Sequence, residues 1–266
     1  MSAPAALRLV PLGTNGFYPT FGRQTMCYLV AAPGAALLLD AGSGVARLSE
    51  PAVRAELDGV DCLEIVLTHY HLDHVIGLSY LPGVLPEQRI RIHAPAPPLT
   101  AAGTEALDRL IGPPLFPVPF HRWPTPVEVV PFAGATVRAG AWTLAARAQK
   151  HPGGSVGLRL GDRLAYVTDT VFDLATIGFV RGVDTLLHEV WLDDAEAERE
   201  DAGRGGHSAA GQVADLAREA GVRRLVPVHH RPSSDEARLA ALAEGLRRRA
   251  GCVVELPVEG QPIDLA

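Results

Sequence analysis

The sequence is poor in cysteine, with 3 cysteines in 266 residues and no CxxC spacing among them. Cys27, Cys62 and Cys252 lie far apart along the chain, which argues against a disulfide framework and against a cysteine-based zinc knuckle. We therefore expect these thiols to be small buried side chains in a reducing compartment.

Other features are also missing. No apolar run is long enough to span a bilayer, and the opening MSAPAALRLVPLG lacks the charged start and long apolar core of a secretory signal. The formal net charge is −6 and no extended basic stripe is present, so the charge does not favour a nucleic-acid partner, although one local groove could still be basic. Together these absences predict a soluble, cytoplasmic protein with no membrane partner.

The composition that remains is that of an ordinary globular protein. Apolar residues make up 47% of the chain and charged residues 20%, and the length fits one large α/β domain or two small ones. Short apolar runs separated by glycine-rich turns predict strands. The predicted strands are Ala6–Leu12, Met26–Ala31, Ala35–Leu39, Leu63–Thr68, Ala135–Arg138, Trp142–Gln149, Ser155–Leu160, Arg163–Thr168, Asp184–Val190, Arg224–Val228 and Cys252–Pro257.

Three segments predict helices. These are Ala52–Asp58, the amphipathic Ser208–Ala220 with Ser208 as its N-cap, and the strongly helical Asp235–Ala250. Since the strands come in runs rather than alternating with helices, two packed sheets with helices outside fit better than a doubly wound parallel sheet.

Residues 82–131 hold 12 of the 22 prolines. A regular helix or a central strand does not accommodate so many, so this region is predicted to be mostly an extended surface loop. A loop of this length is often a lid or a contact surface, and a packing arm without a function is the equal alternative. His93 and His121 lie in this region without a partner and are expected to be structural.

Histidines and aspartates cluster in THYHLDHVIGL, residues 68–78, directly after a predicted strand. His69 and His71 are two residues apart and point to the same side of an extended chain, whereas Asp73 and His74 follow the turn and can face a second ion. Imidazoles and carboxylates are the ligands of zinc-type metals. By itself the cluster is either a histidine-rich turn or half of a metal site.

Three later strands each end at a further candidate ligand. They supply His151 in AQKHPGGSVG, Asp169 in LAYVTDT, and His229 or His230 in RLVPVHH. Seven candidate ligands at four separate strand ends predict a site for two divalent ions, with the Asp169 carboxylate suited to bridge them. Zinc, manganese and iron all suit such ligands, and zinc is the ion we expect.

The order of HxHxDH, an isolated His, an Asp and a final His resembles the pattern of the metallo-β-lactamase fold superfamily. Further stretches resemble its ribonuclease Z and phosphodiesterase branch, namely LGTNGFYPTFGRQT, LLLDAGSG, LLHEVWL and GHSAAGQVADLAREAGVRRLVPVHH. The resemblance covers nearly the whole chain, and it implies an α/β fold, a four-layer αββα sandwich, as a single domain over residues 1–266.

The resemblance also implies roles for individual residues. One ion would be held by His69, His71 and His151, and the other by Asp73, His74 and His229, with Asp169 bridging. His207 matches the position that contacts the scissile phosphate, and Glu189 matches the carboxylate that orients this histidine. Asp73, His207 and Glu189 are thus the candidate catalytic residues.

Two further residues are left with open roles. Asp40 either orients a ligand imidazole or caps a turn. His188, beside Glu189 at a strand end, is expected to be structural.

The reaction implied is hydrolysis of a small or cyclic phosphodiester by a metal-bridging hydroxide. Ribonuclease Z enzymes that process tRNA carry an arm between the third histidine and the bridging aspartate. Here only the hairpin SVGLRLGDRLAYVT separates His151 from Asp169. From this and the net charge we do not expect tRNA as a substrate, and a homodimer is compatible with the resemblance. The alternatives are a lactone, thioester or β-lactam hydrolase on the same fold, and a non-hydrolytic binding or cofactor-pathway protein.

Overall fold

The computed structural model describes residues 7–125, 127–199 and 206–265. Ala6 of the first predicted strand, Pro126 of the proline-rich region and Gly205 before His207 lie outside these ranges.

Seven strands form the first sheet, in the order β14-β1-β2-β3-β4-β5-β6. The strands are β1 (Leu7–Gly13), β2 (Cys27–Ala32), β3 (Ala35–Leu39), β4 (Cys62–Val66), β5 (Arg89–Pro95), β6 (Val127–Phe132) and β14 (Ile263–Leu265). The pairings from β14 to β3 are antiparallel, and those from β3 to β6 are parallel.

The second sheet repeats this plan, in the order β13-β12-β11-β10-β9-β8-β7. Its strands are β7 (Thr136–Ala139), β8 (Trp142–Gln149), β9 (Ser155–Leu160), β10 (Leu164–Val167), β11 (Thr185–Glu189), β12 (Arg224–Val228) and β13 (Val253–Val254). The pairings from β7 to β10 are antiparallel and those from β10 to β13 are parallel. Each sheet therefore has a parallel half whose strands end on the same edge.

Helices cover the outer face of each sheet. The α-helices are Pro51–Arg54, Leu72–Val75, Leu81–Val84, Glu105–Leu110, Ala175–Val180, Asp194–Arg199, Ala210–Ala220 and Glu236–Ala250. Short 3-10 helices are Ser43–Ser49, Ala55–Leu57, Ile76–Tyr80 and Phe120–Arg122. The first-half helices pack on the outer face of the first sheet, and the helices Ala210–Ala220 and Glu236–Ala250 on that of the second.

The two inner sheet faces share one apolar interior. Tyr28 and Tyr166, both fully buried, meet across it with ring centroids 5.7 Å apart. β8, with one face toward this interior and one toward solvent, alternates buried and exposed residues, whereas the parallel strands β4, β10 and β11 are buried almost throughout because both of their faces are covered. The layers therefore run helix, sheet, sheet, helix, and the predicted αββα sandwich is confirmed.

The proline-rich region differs from its prediction. The prediction missed β5 and nearly all of β6, which lie within residues 82–131 and extend the first sheet, whereas residues 96–125 between them are largely irregular. Pro95 ends β5 and Pro131 lies near the end of the edge strand β6, and these are positions where a strand tolerates a missing backbone donor.

Two smaller predictions also need correction. Ser208 is not the N-cap of its helix: Ala209 takes that position, and the Ser208 hydroxyl donates instead to the carbonyl of Thr170 at 2.7 Å. The last predicted strand, Cys252–Pro257, is reduced to the two residues of β13. Among the residues described, no helix has the length and apolar character needed to cross a membrane.

Candidate metal centre

The candidate site lies where the parallel strands of both sheets end. Asp40 follows β3, His69 lies just beyond β4, Asp169 lies just beyond β10, and His229 follows β12. Asp40, Asp169 and His229 have left-handed backbone conformations, with φ of 59°, 51° and 55°. This conformation is unfavourable for residues other than glycine and clusters at functional sites, where the surrounding structure enforces it.

A first group of possible ligand atoms comes from His69, His71, His151 and Asp169, all within 4.8 Å of one another. Nε2 of His151 lies 3.2 Å from Nδ1 of His71 and 3.5 Å from Oδ1 of Asp169. Nε2 of His69 lies 3.8 Å from the same carboxylate oxygen.

A second group comes from Asp73, His74 and His229, again within 4.8 Å of one another. Oδ2 of Asp73 lies 3.3 Å from Nε2 of His229 and 3.5 Å from Nε2 of His74. The Asp169 carboxylate reaches this group too, with Oδ2 3.1 Å from Nε2 of His74 and Oδ1 3.3 Å from Nε2 of His229. Asp169 thus lies between the two groups.

These atoms fit cations. Two ligands bound about 2.1 Å from one tetrahedral ion are about 3.4 Å apart, and the distances within both groups are close to that value. The Nε2 atoms of His69 and His74 are buried and have no hydrogen-bond partner among the described residues, although both point at the Asp169 carboxylate. A buried polar atom without a partner is costly unless something else binds it, and a cation satisfies that need.

The groups perturb one another electrostatically. Burial by itself raises the pKa of Asp169, but the imidazoles of His229, His74 and His69 outweigh it and hold that pKa well below its usual value. Burial lowers the pKa of His74, whereas the carboxylates of Asp169 and Asp73 raise it well above normal. An excess of carboxylate charge close to imidazoles is the environment that attracts divalent cations.

Asp40 orients one of the candidate ligands. Its fully buried carboxylate accepts the Nδ1–H of His74 at 2.8 Å, the backbone N–H of Thr68 at 2.7 Å and the hydroxyl of Tyr166 at 2.8 Å. Since Nδ1 carries the proton, the lone pair of His74 lies on Nε2, which points into the second group. Of the two roles considered for Asp40, the structure favours orientation of an imidazole.

His207 lies beside both groups and is held by Glu189. The Nδ1–H of His207 donates to Oε2 of Glu189 at 2.7 Å, and the other Glu189 oxygen accepts the backbone N–H of Thr170 at 2.7 Å. The Trp191 ring stacks on the His207 ring, with centroids 4.5 Å apart and an interplanar angle of 17°. Burial lowers the pKa of His207, but the Glu189 carboxylate outweighs it and raises that pKa above normal.

The other histidines lie outside the two groups. His188 is buried and its Nδ1 contacts the carbonyl of Glu189 at 2.8 Å. His230 is buried behind His229, and burial lowers its pKa to about 3. His93 bonds Oε2 of Glu64 on the neighbouring strand at 2.7 Å, and His121 is exposed in a 3-10 helix.

Sequence reasoning missed three residues around the centre. Thr68 and Tyr166 bond Asp40, and Trp191 packs on His207. Thr68 directly precedes His69, and Trp191 lies two positions after Glu189 in the stretch LLHEVWL, and this proximity is the only sequence signal for them. Tyr166 is 126 positions from Asp40 along the chain, and no local pattern reveals that contact.

Comparison with known proteins identifies the family of this chain. Residues 36–230 match the Beta-lactamase superfamily domain. Ribonuclease Z of Streptomyces coelicolor is 30% identical over 273 residues, which cover 83% of this chain and 85% of that one. The chain belongs to the metallo-β-lactamase superfamily, in the branch that contains ribonuclease Z, and is therefore a member of a hydrolase family.

Solved structures share the fold. The metallo-β-lactamase fold protein YhfI from Bacillus subtilis has a TM-score of 0.76 at 19% identity and covers 98% of this chain and 100% of its own. The short form of human tRNase Z has a TM-score of 0.67 at 19% identity, covering 97% of this chain and 99% of its own.

The expectation that tRNA is not a substrate is wrong. It relied on the short connection between His151 and Asp169 and on the net charge of −6, yet the relative at 30% identity is named ribonuclease Z and the fold is shared with a tRNase Z. Neither observation excludes tRNA. The net charge of a chain does not describe the charge around one site, and other surfaces can contact an RNA where the arm is missing.

Proposed function

We propose that this chain hydrolyses phosphodiesters with two divalent cations, zinc first among them and manganese or iron as alternatives. The proposal is supported by the two ligand groups that meet at Asp169, with the His207–Glu189 pair beside them. One cation would be held by His69, His71 and His151, the other by Asp73, His74 and His229, with Asp169 between them. When bound, such cations lower the pKa of water and neutralise charge on a phosphoryl group.

The residues of the chain itself would position the substrate and manage a proton. Glu189 binds Nδ1 of His207, so Nε2 is the atom left to face a substrate. A protonated His207 would bond a non-bridging phosphate oxygen or donate its Nε2 proton to the leaving oxygen. Glu189 raises the pKa of the imidazole and orients it, and Trp191 restricts its rotation by stacking.

The single observation that carries the choice of a phosphodiester is the His207–Glu189 pair, since an imidazole donor held by a carboxylate, beside residues that would hold cations, matches an anionic tetrahedral centre. The relatives named ribonuclease Z point to the same bond. A small or cyclic phosphodiester and the 3′ end of an RNA are both substrates of this class.

A substrate screen tests the proposal. The purified protein, supplied with zinc or with manganese, is given bis(p-nitrophenyl) phosphate, a 2′,3′-cyclic nucleotide, a precursor tRNA with a 3′ trailer, a lactone and a chromogenic β-lactam. We expect turnover of one or more phosphodiesters and none of the carbonyl substrates. Turnover of the lactone or the β-lactam alone would overturn the proposal.

A further inference from the structure

The loop of residues 14–24 carries three aromatic side chains that stand in solvent. Phe17 is 71% exposed, Tyr18 48% and Phe21 58%. An exposed ring of this size gives up the stabilisation that burial supplies, so the fold itself gains little from it. Exposed apolar side chains next to a functional centre are a common mark of a binding surface.

Phe17 is hydrogen-bonded through its backbone to a residue of the candidate metal centre. Its backbone N–H donates to Oδ2 of Asp73 at 2.7 Å. The preceding residue, Gly16, lies against the ring of His229 so closely that a β-carbon there would lie 2.3 Å from Cε1 of that ring. Both contacts involve the second ligand group, so the loop forms one side of the centre.

The loop is held in a fixed shape. Asn15 donates to the hydroxyl of Thr20 at 2.9 Å and accepts from Nε of Arg23 at 2.8 Å. The Thr20 hydroxyl donates to the carbonyl of Pro232 at 2.7 Å, which ties the loop to the segment after β12. Phe17 itself has a left-handed backbone with φ of 62°, a conformation that persists only where neighbouring contacts impose it.

Phe17 and Tyr18 form a pair, whereas Phe21 belongs to another surface. The rings of Phe17 and Tyr18 meet edge to face with centroids 5.1 Å apart. The Phe21 ring instead lies under the guanidinium of Arg23, 5.5 Å from the centroid, and borders a different cleft together with Leu256 and Val258. Phe21 is therefore a matched control within the same loop.

We propose that Phe17 and Tyr18 form a stacking surface for a nucleobase of a substrate whose phosphate lies at the metal centre. The inference rests on the proposed function and narrows its substrate class to phosphodiesters that carry a base, either a small nucleotide or the end of a single-stranded nucleic acid. Aromatic side chains bind unpaired bases through their faces with little dependence on sequence. A pair of rings in mutual contact, on a loop whose backbone is hydrogen-bonded to Asp73, is suited to that task, because a backbone that is already ordered loses little conformational entropy on binding.

The test compares two substrates that differ only in their bases. The metal-loaded protein is given uridylyl-uridine and the analogue of this dinucleotide that lacks both bases, and kcat/KM is measured for each by chromatography of the products. We divide the kcat/KM for uridylyl-uridine by that for the analogue without bases. In Phe17→Ala and in Tyr18→Ala we expect this ratio to fall roughly 5- to 150-fold, the range for loss of one stacking aromatic side chain. Phe21→Ala should leave the ratio at its wild-type value.

Conservative variants separate stacking from general disturbance of the loop. Tyr18→Phe keeps the ring and should restore the ratio, whereas Phe17→Leu keeps an apolar side chain without a ring and should not. The bond to Asp73 comes from the backbone of residue 17, so it is available in every variant. A single-stranded oligouridine and uridine monophosphate are then compared as competitors for the same site. The tighter-binding competitor tells whether the base belongs to a nucleic-acid end or to a small nucleotide, and binding of either supports the proposal.

Two failures can be told apart. If the wild type hydrolyses both dinucleotides and neither the Phe17 nor the Tyr18 variants change the ratio, the stacking surface is refuted while phosphodiester hydrolysis stands. If no phosphodiester is hydrolysed at all, the proposed function falls and the stacking surface falls with it.

Discussion

Replacement of Asp40 by asparagine isolates the contribution of one buried carboxylate to the metal centre. The asparagine side chain has nearly the same shape but only one acceptor oxygen, and its amide nitrogen can only donate. In the wild type the Asp40 carboxylate accepts from the backbone and hydroxyl of Thr68, from Tyr166 and from Nδ1 of His74. An amide oxygen that keeps the Thr68 bonds leaves the amide nitrogen facing Nδ1 of His74.

The consequence is a change of tautomer. Tyr166 can rotate its hydroxyl to accept, but Nδ1 of His74 must give up its proton to accept from an amide. The proton then lies on Nε2, the atom that points at Asp73 and Asp169 and would have to bind a cation. Loss of such an outer partner costs about 10- to 100-fold in metal affinity, which is about 1.4 to 2.7 kcal/mol.

The assay is competition between the protein and a chromophoric chelator for zinc, with unfolding by urea measured in parallel. For Asp40→Asn we expect the apparent affinity for the ion that His74 would hold to fall by about 10- to 100-fold. We also expect a loss of folding stability of about 1 to 3 kcal/mol from the altered buried bonds. Tyr166→Phe is the control, because it removes one bond to the same carboxylate and leaves His74 untouched. It should lose comparable stability while its metal affinity stays close to wild type.

The reasoning about Asp40 would be refuted if Asp40→Asn bound zinc as tightly as the wild type. Equal losses of affinity in Asp40→Asn and Tyr166→Phe would also refute it, because they would show that general loosening of the site, rather than the tautomer of His74, controls the affinity.

Three further substitutions probe the centre. Asp169→Ala should abolish turnover and reduce bound metal together, since Asp169 is the carboxylate between both ligand groups, and full metal content by plasma mass spectrometry would remove it from the site. His207→Ala should lower phosphodiester turnover by about 10² to 10⁴ with metal content retained, and an unchanged rate would end its role as a donor. Gly16→Ala should lower metal content, because the new β-carbon would lie 2.3 Å from Cε1 of His229 and displace that ring, and a wild-type metal-to-protein ratio would contradict this.

Much of the fold was accessible from local pattern. The strands Ala35–Leu39, Trp142–Gln149, Ser155–Leu160 and Arg224–Val228 have the bounds predicted for them. Apolar runs bounded by glycine and proline encode such strands within a few residues, so they need no information from the rest of the chain. β5 was missed because the prolines around it outweighed the alternation of apolar and polar residues in RIRIHAP, and its pairing with β4 and β6 makes it a strand.

The sequence by itself determined the types of metal-binding residues and their places at strand ends, because a strand, its end and the turn after it are local properties of the chain. Only the tertiary structure decided that two parallel half-sheets bring those ends to one place, with Asp169 between the two groups. It also decided the contact of Asp40 with Tyr166 and that of Phe17 with Asp73, which join residues 126 and 56 positions apart. Such contacts depend on the register of the strands and the packing of the sheets, and these are set by the whole core rather than by any one segment.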